Sequence, residues 1–319
     1  MIWYKFTNPN GYYYTPFSKS KSLLTHFDNG KDMVAAINQK DDVHFEVHSE
    51  NIVECWEKTK PTIDPIDLPY GIYSHSHSNN VHPERLMPLD LRDDNYIELL
   101  SSLIDLDTSI EHFINNKSIY TDSKTLYKLG VLLFGPPGTG KTSYMRQFIR
   151  SKKDAIVIFL DTIPSRDFLQ KLESSTKDKL KIFVIEEVLS VIDDSHDIRE
   201  MLDFLDGSKS VSNSIYFLST NYPESIPENV IRNGRIDIFT KVEFPDRKAR
   251  EKLIEYYLQR NPIEEEIEIT KEMPIVDIRE ICFLHKKTNE SFKSCVKIVE
   301  EKNKMLKKYF GKLREVKLI

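Results

Sequence analysis

Cysteine is scarce in this chain of 319 residues: there are three, Cys55, Cys282 and Cys295. So few, so scattered, exclude a disulfide framework or a cysteine-built zinc site, and reduced, partly buried thiols are expected. Long apolar runs are missing too. No stretch approaches the ~18 residues that a membrane-spanning helix needs, and the opening Met1-Ile-Trp-Tyr-Lys-Phe6 has no signal-peptide pattern. A cytoplasmic protein without membrane insertion is therefore expected. Nor does one sign of charge dominate. Lys and Arg number 45 against 50 Asp and Glu, for a net charge of −5, which argues against a general nucleic-acid binder. Hydrophobic residues make up 39% and charged ones 30%, a globular composition. The length allows two or three domains.

Texture changes along the chain. Residues 1–90 are aromatic-rich and poor in helical periodicity, and Val43, Phe45 and Val47 alternate with polar residues as in a half-buried strand. Pro61, Pro65 and Pro69 punctuate the next stretch. A polar run from His75 to His82 holds three histidines (His75, His77, His82) with no cysteine or carboxylate cluster beside them, and it reads as a surface loop rather than a metal site. The expectation is a small β-rich or irregular N-terminal domain. From Asp94 to Ile114 apolar residues recur at helical spacing. Three further apolar runs, Ala155–Leu160, Lys181–Ile185 and Ser214–Ser219, are separated by helical or polar segments, the pattern of an α/β fold with a parallel sheet. Arg247–Gln259 and Asp277–Lys286 read as helices of a C-terminal helical part. From His285 onward lysine is abundant, which fits either a solvated helix face or a phosphate-binding patch.

One motif stands out. Gly135-Pro136-Pro137-Gly138-Thr139-Gly140-Lys141-Thr142 has the spacing of a phosphate-binding loop. The apolar segment Val131–Phe134 enters it as a strand, and Ser143–Arg150 leaves it as a helix. Glycines let the backbone curl so that its N–H groups point inward, with a helix N-terminus behind them. Lys141 would reach the outer phosphates of ATP and the Thr142 hydroxyl would ligate Mg²⁺, with Ser143 completing the binding set. Glu186-Glu187 closes the apolar run before it. Such a pair suits one acid on the metal, Glu186, and one base on the attacking water, Glu187. Asn221 ends another apolar run, where a neutral amide can bond a γ-phosphate or the water. Arg232 and Arg235 flank a short turn. They are either surface ion-pair residues or guanidinium clamps for a transferring phosphoryl group.

Together these residues resemble the AAA family of the AAA+ ATPases, well over Leu126–Phe244 and loosely over the helical remainder. Gly135–Thr142 matches Walker A, Ile182–Glu187 Walker B, and Asn221 the sensor-1 asparagine. Arg232 and Arg235 match the paired arginines that reach a neighbouring subunit's nucleotide. The stretches Met201–Gly207, Asn221–Glu224 and Arg232–Asp237 look most like the subfamily of the mitochondrial Rieske-protein translocase, whose transmembrane helix is lacking here. The sequence departs from the family at Asn233, usually proline, and at Glu186, usually aspartate. After Leu160 it lacks the aromatic–hydrophobic–glycine pore loop of unfoldase relatives, and Arg279 falls where many lids carry a sensor-2 arginine or is a plain surface residue.

The resemblance implies an α/β P-loop core over residues 91–245, a helical lid over 246–319 with a basic tail, and an N-terminal client or adaptor domain over 1–90. It also implies ATP hydrolysis in a homo-hexameric or heptameric ring that remodels a protein client. Two alternatives stay open: an ATP-gated nucleic-acid module using the lysine-rich tail, which is not favoured, and a scaffold that binds nucleotide without hydrolysis.

Overall fold

A computed structural model describes residues 3–8, 11–16, 22–26, 33–39, 42–48, 62–78, 82–91, 103–123, 125–192, 194–206 and 209–315. Cys55 and the helical pattern expected over 94–100 lie outside the described residues, as does the burial of Val43, Phe45 and Val47. The chain forms two compact units. The first comprises Met1–Asp93, His112–Leu133 and Met145–Phe239, the second Asp94–Glu111, Phe134–Tyr144 and Thr240–Ile319.

The three apolar runs are strands β10 (Ala155–Phe159), β11 (Leu180–Ile185) and β12 (Ser214–Thr220), as their pattern predicts. They pair in parallel, with Ala155 opposite Leu180 and Lys181 opposite Ser214. All seven residues of β12 are buried, which is why these strands read as unbroken apolar runs: helices cover both faces of such a sheet. The intervening helices are α4 (Arg166–Ser175) and α5 (Ser195–Leu205), entered after α1 (Ile104–Asn115), α2 (Lys117–Asp122) and α3 (Lys141–Ser151). Ser165 caps α4 by accepting from the Phe168 N–H, and Asp194 caps α5 by accepting from His196 and Asp197. Phe168, Phe183, Phe204 and Tyr216 meet in the core, and the Tyr216 hydroxyl accepts from the Val211 N–H.

The sheet has ten strands in the order β13-β9-β12-β11-β10-β7-β8-β2-β1-β6. Here β9 is Lys128–Phe134 and β13 Ile238–Lys241, while β1 (Trp3–Asn8), β2 (Gly11–Pro16), β6 (Thr62–Ile66), β7 (Gly71–Ser78) and β8 (His82–Pro88) come from the N-terminal stretch. The strand β7 pairs in parallel with β10 and antiparallel with β8, and β2, β1 and β6 continue antiparallel beyond it. A separate antiparallel sheet holds β3 (Ser22–His26), β4 (Met33–Gln39) and β5 (Asp42–His48).

The His75–His82 run differs from its sequence reading. His75 and His77 lie in β7 and His82 starts β8, rather than sitting in a surface loop. Residues 79–81 lie outside the described residues, and His75 is buried at 5% exposure. Its Nε2 lies 3.0 Å from Glu84 Oε1, and its ring packs edge-on against Phe168. Glu84 in turn accepts from the Ser165 N–H at 2.7 Å and from the Ser165 hydroxyl. Local polarity suggested a loop because His75 is satisfied by Glu84 across the strand pair, and Glu84 in turn by Ser165, 81 residues further along the chain.

In the second unit α6 (Arg247–Leu258), α7 (Glu264–Ile269), α8 (Ile275–Thr288) and α9 (Phe292–Glu315) follow in order. Leu253, Ile254, Ile278, Ile281, Cys282 and Cys295 form its core. Burial pushes the Cys282 thiol up to about 12, so it behaves as a small hydrophobe. The buried Arg250 satisfies itself on backbone carbonyls, donating to Ile267 and Pro245. No described helix is long and apolar enough to cross a membrane.

Candidate nucleotide site

The predicted residues fall into four groups, each built by its own local geometry.

The phosphate loop leaves β9 and enters α3. Gly135, Gly138 and Gly140 all take positive φ (144°, 77° and 103°), a region that side-chain-bearing residues rarely enter. A Cβ on Gly135 would sit 2.2 Å from the Val242 carbonyl oxygen. The Lys141 ammonium folds back to donate to the carbonyls of Gly135 (2.7 Å) and Pro136 (2.9 Å), and the buried Thr139 hydroxyl donates to Pro136 O (2.8 Å). A curled loop with a lysine resting on its own carbonyls, and Thr142 in the first turn of a helix, fits a polyphosphate with Mg²⁺. The start of α8 closes on this loop: the Val276 N–H donates to Gly138 O at 3.3 Å, and a Cβ on Gly138 would meet Val276 Cγ1 at 2.5 Å.

Glu187 lies just past the end of β11 in the left-handed conformation (φ 56°). Its carboxylate accepts from Asn221 Nδ2 at 2.6 Å and from the Thr220 hydroxyl at 3.0 Å, while its N–H donates to the Ser219 hydroxyl at 3.1 Å. Glu187 and Asn221 are thus brought together as an acid and its clamp. Ser219 and Thr220 were missed by sequence reasoning. The available signal was a pair of hydroxyls at the end of an otherwise apolar strand.

Glu186 points elsewhere. Its Oε1 lies 3.6 Å from Nε of Arg146, on α3. The arginine is a further residue that the motif did not single out.

The two arginines occupy a turn closed by hydrogen bonds from the Arg235 and Ile236 N–H groups to Arg232 O (3.0 and 3.2 Å), so Asn233 in place of proline leaves it intact. The turn is seated against β9. Asp237 Oδ2 accepts from the Gly130 N–H, and the Asp237 N–H donates to Gly130 O, both at 2.8 Å. A Cβ on Gly130 would lie 1.9 Å from Arg235 O, so only glycine permits this approach. Lys128, at the start of β9, donates to the carbonyls of Leu205 (2.5 Å) and Gly234 and lies 3.9 Å from the Asp206 carboxylate. Burial lowers its pKa from the ordinary lysine value, with Asp206 and Asp237 countering. Arg279 is exposed on α8, near Tyr257, whose pKa is raised by burial and held back by that positive charge.

Residues 131–244 match the family model of the ATPase family associated with various cellular activities (AAA). The chain is similar to the ATP-dependent zinc metalloprotease FtsH 1 of Conexibacter woesei, 30% identical over 181 residues, which are 50% of this chain and 28% of that protein. It is also similar to the ATP-dependent zinc metalloprotease FtsH of Halothermothrix orenii, 28% identical over 196 residues (55% and 30%). The cell division cycle protein 48 homolog of Archaeoglobus fulgidus is 25% identical over 161 residues (44% and 21%). The chain therefore spans less than a third of the length of these relatives.

Proposed function

We propose that this chain hydrolyses ATP with Mg²⁺ as one subunit of a ring and spends the cycle on remodelling a protein client. The observation that supports this reading is the Glu187 carboxylate held by Asn221 and Thr220 on a left-handed backbone, a region that few residues other than glycine enter. In this reading Glu187 takes the proton of the attacking water, Asn221 orients it, and Lys141, Thr142 and the loop N–H groups bind the phosphates. Glu186 would hold the metal side, exchanging its Arg146 contact for the cation's bound water. Mg²⁺ would supply charge neutralisation on the phosphate oxygens. Arg232 and Arg235 would complete the site of the adjacent subunit. The motifs around Met201–Gly207 and Arg232–Asp237 favour the Rieske-translocase subfamily within the AAA proteins.

Glu187→Gln tests the assignment. It should bind ATP with wild-type affinity and lose at least ~100-fold in steady-state phosphate release, the usual worth of a general base. Full turnover in this variant would remove Glu187 from the role.

A further inference from the structure

The two arginines of the Arg232–Asp237 turn are not equivalent. We propose that Lys128 and Asp206 form a positioning latch that turns Arg235 inward and presents Arg232 to the nucleotide of a neighbouring copy. This rests on the reading of the arginines as acting between subunits, and it assigns them different jobs.

Lys128 is 8% exposed, and a buried ammonium is costly unless its donors are used. Two are spent on carbonyls from segments far apart in sequence: Leu205, the last residue of α5, and Gly234, inside the arginine turn. Core packing alone would be served by an apolar side chain of similar length. What the ammonium adds is direction. It draws the Gly234 carbonyl toward β9, and that fixes the peptide plane from which Arg235 departs. Gly234 can follow because its φ is +85°.

Arg235 is then engaged within its own subunit. Its Nη1 donates to Asn229 O, and its Nε lies 3.8 Å from Asp206 Oδ2. Asp206 thus lies between two cations, Lys128 and Arg235, at the C-terminal end of α5. Arg232 is exposed, and among the described residues its side chain makes no hydrogen bond or ion pair. The latch leaves one guanidinium tied inward and one projecting.

The experiment uses the full-length chain and mixed oligomers. Lys128→Met, a near-isosteric change, should keep ATP affinity within about twofold and lose at least ~10-fold in turnover, because a trans arginine is worth ~10³–10⁵ in rate. Lys128→Arg, which keeps the donors and the charge, should recover part of that loss. The decisive measurement is phosphate release from a mixture with Glu187→Gln. A Glu187→Gln subunit has a dead site but an intact arginine turn, whereas a Lys128→Met subunit has an intact site and a displaced turn. Their mixture should turn over faster than the sum of the two alone, as should Arg232→Ala mixed with Glu187→Gln. Rescue in the Arg232 mixture without rescue in the Lys128 mixture would overturn the latch and leave the ring reading standing. No rescue in either would refute action between subunits, and the latch with it. Wild-type turnover in Lys128→Met would also overturn the latch. Should Lys128→Met not fold, Asp206→Asn, at a half-exposed position, decides: turnover several-fold lower and rescued by Glu187→Gln supports the latch, and unchanged turnover refutes it.

Discussion

Glu187 and Gly138 each hold a left-handed backbone, one in each unit. A left-handed glutamate costs about 1–2 kcal/mol, and here hydrogen bonds from Asn221 and Thr220 and to Ser219 offset it. Asn221→Ala should therefore lower turnover by at least ~10-fold, a fraction of a base's full worth, and destabilise the protein to denaturant by about 1 kcal/mol. Unchanged phosphate release would show that Glu187 does not need its clamp in the proposed role. Gly138 combines a φ of 77° with a Cβ position already filled by Val276. Gly138→Ala should cost at least ~1 kcal/mol and weaken ATP binding; adding Val276→Ala should recover the steric part but not the backbone part. Full recovery in a melting and binding series would rule out the backbone part.

Among the elements, the β7–β8 hairpin is pinned to α4 through His75, Glu84 and Ser165. Burial alone would raise the Glu84 pKa; bonds from the His75 ring, the Ser165 hydroxyl and the Ser165 N–H outweigh it and hold the carboxyl below its ordinary 4.5. A carboxyl with a depressed folded pKa stabilises fully above its unfolded value, and that contribution is lost as the pH falls from about 4.5 through the folded pKa. Glu84→Gln should lower the melting temperature at pH 7 and have a smaller effect at pH 3.5. Equal effects at both would discount the ionised carboxylate. The central strands were legible because continuous burial writes itself as continuous apolarity. The hairpin was not, because a histidine and a glutamate that satisfy each other across strands read locally as loop polarity.

For the whole molecule, the N-terminal strands extend the core sheet through the β7–β10 pairing, and the start of α8 bonds to the phosphate loop within the second unit. Nucleotide should thus stabilise the second unit directly. ATP at 100-fold excess over its Kd should add about 2.7 kcal/mol to unfolding in the Glu187→Gln background. That addition should be smaller in Val276→Pro, which removes the N–H that donates to Gly138. The same ATP-bound Glu187→Gln protein should sediment as a ring. A monomer at all concentrations would exclude the ring.

The sequence by itself determined the glycine-lysine loop motif, the pair of acids at the end of β11, Asn221 at the end of β12 and the existence of the parallel strands, but not their order. Each is written in contiguous residues, because a loop that must curl needs glycine at fixed spacing and a doubly covered strand needs an apolar run. Only the tertiary structure decided which partners these residues hold. That Glu187 answers to Thr220 and Asn221, Glu186 to Arg146, His75 to Glu84 and the arginine turn to Lys128 depends on pairings across 9 to 106 positions of chain. No local pattern encodes them, since burial and hydrogen-bond satisfaction are properties of the packed whole.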